Sequence, residues 1–154
     1  MTESDIKKRL RIMTHFHGIF VDEFTFHEHR IDAIIIDLKH RWIRGFEIKT
    51  NRSDFNRDIK WTQYSKFLSS LSMVCPEGLI QPNEIEKPLG LLWITENGVR
   101  WKKRPGNFQN RHSLAWLWTY VSVIEAEFPR IIWEKERMFQ ELRNLRKQLE
   151  AREQ

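Results

Sequence analysis

Asp32, Glu47 and Lys49 are the residues of this sequence best suited to chemistry by type and spacing. They sit in two β-branched, apolar runs, Ile31-Asp32-Ala33-Ile34-Ile35-Ile36-Asp37 and Trp42-Ile43-Arg44-Gly45-Phe46-Glu47-Ile48-Lys49, either side of the polar break Leu38 to Arg41. Runs of that kind around a short break form a β-hairpin. Side chains alternate along a strand, so Glu47 and Lys49 project from one face and Ile48 from the other. An acid and a lysine on one strand, with a second acid on its neighbour, make a poor apolar core. They suit a divalent cation held beside a proton-handling group.

Hydrolysis of a phosphodiester needs an activated water, stabilised charge on the phosphorane and a neutralised leaving oxygen. Oxygen ligands holding Mg²⁺ or Mn²⁺ serve all three needs, and a nearby lysine orients or deprotonates the water. Asp32, Glu47 and Lys49 are the residue types for that work. The plainer alternative is a solvated cross-strand charge pair between Glu47 and Lys49. Asp37 fits turn chemistry better than ligation.

The elements that must position these residues follow from the patterning. Thr2 or Ser4 caps a first helix over residues 4–15, with Ile6, Leu10 and Met13 on one stripe and Lys7, Lys8, Arg9 and Arg11 elsewhere. Gly18 breaks that pattern, and Ile19 to Phe26 reads as a strand. After the hairpin, Ser53 is the expected N-cap of a helix reaching Leu71, with Phe55, Ile59, Phe67, Leu68 and Leu71 buried. Lys60, Gln63 and Tyr64 form an adjacent stripe on that helix. Ser72 to Cys75 and Leu89 to Thr95 are strands joined by a loop over 76–89, and Glu96-Asn97-Gly98 is a turn leading to Val99-Arg100-Trp101. The order is thus helix, three strands, helix, two strands. A crossover from the third strand to the fourth gives a mixed α/β sheet flanked by helices.

The remainder differs in character. Lys102 to Arg111 reads as a basic loop, and Arg100, Trp101, Lys102, Lys103, Arg104 and Arg111 offer charges for phosphates and rings for stacking. A merely solvated loop is the competing reading. Ser113 to Glu127 reads as a helix, Pro129 as an interruption, and 131–152 as a final helix. There Ile131, Met138, Leu142, Leu145 and Leu149 keep heptad spacing, with Lys135 in one apolar slot. Such a stripe suits intramolecular packing or a homodimer seam.

A chain of 154 residues is long enough for one domain with a real core. Its net charge of +5 favours polyanionic partners without establishing one. The single cysteine, Cys75, cannot close an internal disulfide, which fits a reducing cytoplasm. The N-terminus lacks a basic then apolar signal, and no apolar run approaches the ~18 residues that span a bilayer, so no membrane association is expected. His15 with His17 and His27 with His29 invite a zinc reading, which no cysteine supports.

The element order and the residues Asp32 and Glu47-Ile48-Lys49 resemble the PD-(D/E)XK phosphodiesterases, the restriction-endonuclease-like superfamily, whose core order is αβββαβ. The residue before Asp32 is Ile31 where the family name has proline. Further similarity is to its MmcB-like branch of bacterial DNA-repair nucleases. It is carried by Glu23-Phe24-Thr25, Arg30-Ile31-Asp32, Phe46-Glu47-Ile48-Lys49, Ser53 with Phe55, Asp58, Lys60, Trp61 and Tyr64, Pro76-Glu77-Gly78, and the apolar run Gly90 to Ile94. These span about residues 20–95, so the C-terminal third has no counterpart in the resemblance.

The resemblance implies a nuclease-like core over residues 1–98 and a helical extension over 99–154. It implies a Mg²⁺- or Mn²⁺-dependent DNA endonuclease acting in repair or on phage or foreign DNA, in the cytoplasm of a bacterial or phage-infected cell. Asp32, Glu47 and the Ile48 carbonyl would hold the metal, and Lys49 would position the water. Lys60 and Gln63 would lend polar groups. Some members add a glutamate from the first helix or strand, for which Glu3 and Glu23 are the options and Glu23 the favoured one. The alternative is a catalytically silent protein of the same fold that binds DNA or recruits a partner.

Overall fold

The structure, a computed structural model, describes residues 1–13, 18–26, 29–37, 40, 42–57, 61–108 and 114–152. The chain divides into two compact units, Met1–Tyr120 and Val121–Gln154. The first holds helix α1 (Glu3–Met13), strands β1 (Gly18–Phe26), β2 (His29–Asp37) and β3 (Trp42–Ile48), and short helices α2 (Arg52–Arg57) and α3 (Trp61–Tyr64). Strands β4 (Ser70–Pro76), β5 (Gly90–Thr95) and β6 (Gly98–Lys103) follow, and then helix α4 (Leu114–Arg152) begins.

The six strands form one mixed sheet in sequence order. β1, β2 and β3 make an antiparallel meander; β3, β4 and β5 run parallel; β6 returns antiparallel. The parallel β3–β4 pairing requires the crossover that α2 and α3 provide. β5 is buried at every position and β4 at all but its last, as expected for strands covered on both faces.

α1 starts at Thr2. Thr2 Oγ1 accepts the Asp5 amide at 3.2 Å while Asp5 Oδ2 accepts the Thr2 amide at 2.9 Å, a reciprocal cap. Ile6 and Leu10 then pack onto one sheet face with Phe20, Ala33, Ile35, Phe46, Ile48 and Leu92. Arg9 Nη1 donates to the Thr95 carbonyl at 2.7 Å and fixes α1 against the β5–β6 turn. The alternate residues Ile34, Ile36, Ile43, Leu71, Met73 and Leu91 are buried on the other face. Leu68 crosses close to β3 there: a Cβ on Gly45 would collide with Leu68 Cδ1.

Several expectations are corrected. The single helix from Ser53 to Leu71 is two short helices within the described residues, 58–60 lying outside them. Asn51, not Ser53, caps the first: its Oδ1 accepts the Asp54 amide at 2.9 Å. Leu68 to Leu71 do not end a helix because Ser69 is already tied to β3. Its amide donates to Ile43 O at 2.7 Å, and its Oγ accepts the Ile43 amide at 3.0 Å. That hydroxyl also accepts from Trp116 Nε1 at 3.1 Å, which anchors the start of α4.

Residues 98–103 are a sixth strand paired with β5 rather than the entry to a loop. Pro129 does not interrupt the last helix; α4 runs through it as 39 residues. Losing one backbone bond at proline costs ~3 kcal/mol, which long helical sequence on both sides outweighs here. No helix among the described residues is long and apolar enough to cross a membrane.

Candidate functional site

The site begins where β2 and β3 stop pairing through their backbones. The ladder runs from Asp37↔Trp42 to Ala33↔Phe46. One residue further, the Asp32 carboxylate continues it: Oδ2 accepts the Ile48 amide at 2.7 Å. That is the length of a charge-assisted bond. On the other edge of β3 the Lys49 amide donates to Val74 O at 2.8 Å. Backbone groups alternate in direction along a strand, so the Ile48 N–H and carbonyl both lie on the Asp32 side.

Glu47 and Lys49 share the opposite face from Ile48, which packs against α1. Both are buried, at 7% and 5% exposure, with Lys49 Nζ 3.7 Å from Glu47 Oε2. A solvated charge pair is therefore not what this strand carries. Moving two charges out of water costs several kcal/mol per ion, and their mutual attraction repays this only in favourable geometry. Asp32 is half-buried, and burial pushes its carboxyl above the ordinary value of 3.8, against the pull of the Ile48 amide and the Lys49 charge.

A further group of charges meets Asp32 from the α1 side. Lys7, nearly buried, stands 2.7 Å from Glu3, 2.8 Å from Asp22 and 3.0 Å from Glu23. Neighbours on a strand normally point to opposite faces. Glu23 lies in the left-handed region at φ 51°, which lets both it and Asp22 turn to the same ammonium. Hydrogen bonds to these carboxylates raise the Lys7 pKa against the effect of burial. Sequence reasoning missed Lys7, having placed it only off the apolar stripe of α1; the i,i+4 spacing from Glu3 was the available signal.

Asp32 is thus bonded to Ile48, and Lys49 stands beside Glu47 with its charge acting on Asp32. Glu23 is turned to Lys7 and exposed, and the glutamate whose charge acts on Asp32 is Glu3. Gln63 is exposed on α3 and makes no bond to this cluster among the described residues. Its neighbour Tyr64 does reach the site's edge, donating to Arg30 O at 3.0 Å. Lys60 lies outside the described residues, as do His15, His17 and His27.

A solved structure, that of a protein of unknown function from Silicibacter pomeroyi, matches this chain with a TM-score of 0.66 and 17% identity, covering 86% of this chain and 90% of that one. The likeness is one of fold. No family model and no curated protein matches the chain.

The basic stretch is only partly available as a surface. Arg100, Lys102 and Arg104 are exposed, but Arg100 stands 3.5 Å from Glu77, and Lys102 lies 4.5 Å over the Trp93 ring. Trp101 packs against the α1-side core instead of standing free, and Lys103 donates to the Ile85 carbonyl. The alternation of β6 is the reason: 99, 101 and 103 turn inward while 100 and 102 turn outward. Arg111 lies outside the described residues.

Two carboxylates and a carbonyl are oxygen donors of the kind Mg²⁺ and Mn²⁺ take. No group of three His, Cys, Asp or Glu side chains poised for a metal occurs among the described residues. Mg²⁺ does not require one, since it commonly keeps waters and takes one or two carboxylates together with substrate phosphate. The donor set fits that cation.

Proposed function

We propose that this chain is a divalent-metal-dependent DNA endonuclease with a restriction-endonuclease-like core. The observation that carries the reading is the bond to Asp32 from the Ile48 amide, between the buried Glu47 and Lys49 in sequence at the end of β3. The antiparallel meander followed by a parallel crossover, β1 to β4, supports the same fold.

In this reading Asp32, Glu47 and the Ile48 carbonyl hold Mg²⁺ or Mn²⁺, which supplies charge neutralisation at the phosphoryl group. The Lys49 ammonium orients the attacking water and stabilises negative charge as it develops. Besides offering its carbonyl, Ile48 fixes Asp32 through its amide and locks the strand to the core beneath through its side chain. Arg100, Lys102 and Arg104 supply phosphate contacts on the β6 edge.

The test is cleavage of supercoiled plasmid and of single-stranded DNA with Mg²⁺, Mn²⁺ or EDTA, comparing the parent with Glu47→Gln. Metal-dependent cutting that the variant loses is the expected result. No cutting by the parent, with DNA binding that persists in EDTA, would replace this reading with a catalytically silent DNA-binding protein.

A further inference from the structure

The described residues of the unit Val121–Gln154 are the C-terminal part of α4. A single helix cannot bury its own apolar stripe, and this one is large: Phe128 is 56% exposed, Met138 55% and Leu142 54%. With Val121 at heptad position a, the a column continues through Phe128, Lys135, Leu142 and Leu149. The d column is Ile124, Ile131, Met138 and Leu145. Apolar residues fill every a and d position over 121–149 except Lys135, which is the pattern of a left-handed coiled coil.

We propose that α4 pairs with α4 of a second copy of this chain, as a parallel, in-register, two-stranded coiled coil over residues 121–149. Charge selects the occupant and its direction. The g column reads Glu127, Glu134, Glu141 and Gln148, and the e column reads Glu125, Ile132, Phe139 and Arg146. Parallel pairing places g beside e of the following heptad in the other helix, so Glu141 meets Arg146 of the second copy twice over. Antiparallel pairing would set the glutamate column against itself, an arrangement that like charge disfavours. Lys135 is the one polar residue in the a column; in register it meets Lys135 of the second copy, a like-charge layer that fixes register at a cost in stability. Ile132 and Phe139 are 41% and 50% exposed and widen the seam on its e side.

This inference does not depend on the nuclease reading. Sedimentation equilibrium of the full chain, whose mass is 18.8 kDa, should give twice that mass. Leu142→Glu should weaken association at least tenfold while its circular dichroism keeps the sheet signal. Leu142→Cys should form an intermolecular disulfide on mild oxidation, since in-register a positions face each other; Cys75 is buried and should not compete. A parent that stays monomeric, or a trimer, overturns the proposal. So does a dimer that survives Leu142→Glu, or a dimer in which Leu142→Cys fails to cross-link.

Discussion

Replacing Lys49 with methionine probes the site through stability as well as activity. The Lys49 and Glu47 side chains are 7% and 9% exposed, with Nζ and Oε2 3.7 Å apart. Methionine keeps most of the lysine stem's volume, so packing changes little. Removing one charge of such a buried pair costs about 3–5 kcal/mol, because the other stays desolvated. At about 2–4 °C per kcal/mol for a chain this size, Lys49→Met should melt ~6–20 °C below the parent. Adding Glu47→Gln removes the second charge and should recover part of the loss, a coupling of ~0.5–3 kcal/mol. If Glu47 takes part in holding a divalent cation, that cation replaces the missing positive charge. Mg²⁺ at ~100 times its Kd should then return ~2.7 kcal/mol, or ~5–11 °C, to Lys49→Met and nothing to the double variant. Scanning calorimetry of the three proteins in Mg²⁺ and in EDTA reads all of this. A Lys49→Met melt indistinguishable from the parent's would refute the electrostatic coupling; equal Mg²⁺ shifts in every protein would place the cation away from Glu47.

Asp32→Asn keeps an oxygen to accept the Ile48 amide while removing a carboxylate that burial disfavours. Its raised pKa means that Asp32 favours the fold below the ordinary value of 3.8 and that this contribution is lost as pH rises through the raised value. In urea at neutral pH the Asn variant should therefore unfold no earlier than the parent, while cleavage disappears; a lower midpoint would contradict the assignment. Arg52 at the start of α2 holds Glu84 through two bonds of 2.9 and 2.5 Å and, with help from the Gln81 amide, lowers its pKa from 4.5 to about 2. That stabilisation is present above 4.5 and lost as pH falls towards 2, so Arg52→Met should move the Glu84 midpoint upward in a carboxyl NMR titration. An unmoved midpoint would assign the shift to the Gln81 amide alone.

Patterning found those elements whose periodicity admits one reading. Ile34-Ile35-Ile36 and the run ending in Glu47-Ile48-Lys49 are β-branched and too short to be helices, and they are the adjacent strands β2 and β3. Leu68 and Leu71 fit a helix stripe and a buried strand entry equally well. The Ser69 bonds to Ile43, which depend on residues far apart in sequence, settle which it is. β6 escaped because its outward residues, Arg100 and Lys102, have the composition of a loop; the inward Val99 and Trp101 carry the strand signal. At Pro129 a sound local rule lost to helical sequence on both sides.

The identities of Asp32, Glu47 and Lys49 were legible, but their burial was not, and burial changes what they mean. On an exposed strand this trio would cost nothing to keep and would imply little. Here Glu47 and Lys49 are withdrawn from water, and the Asp32 carboxyl is pushed up by its surroundings although an amide and an ammonium oppose the shift. Well-packed apolar residues at such positions are often as stable or more so. The Lys7 cluster adds to the same imbalance: Glu3, Asp22 and Glu23 bring three negative charges to one ammonium, and Glu3 works against ionisation of Asp32. Among the described residues this region has more carboxylates than cations, and such a partly desolvated region gains most from a bound positive charge. The physical case for a cation beside Asp32 and Glu47 thus rests on stability given up in its absence, which is why calorimetry can test it without a known substrate.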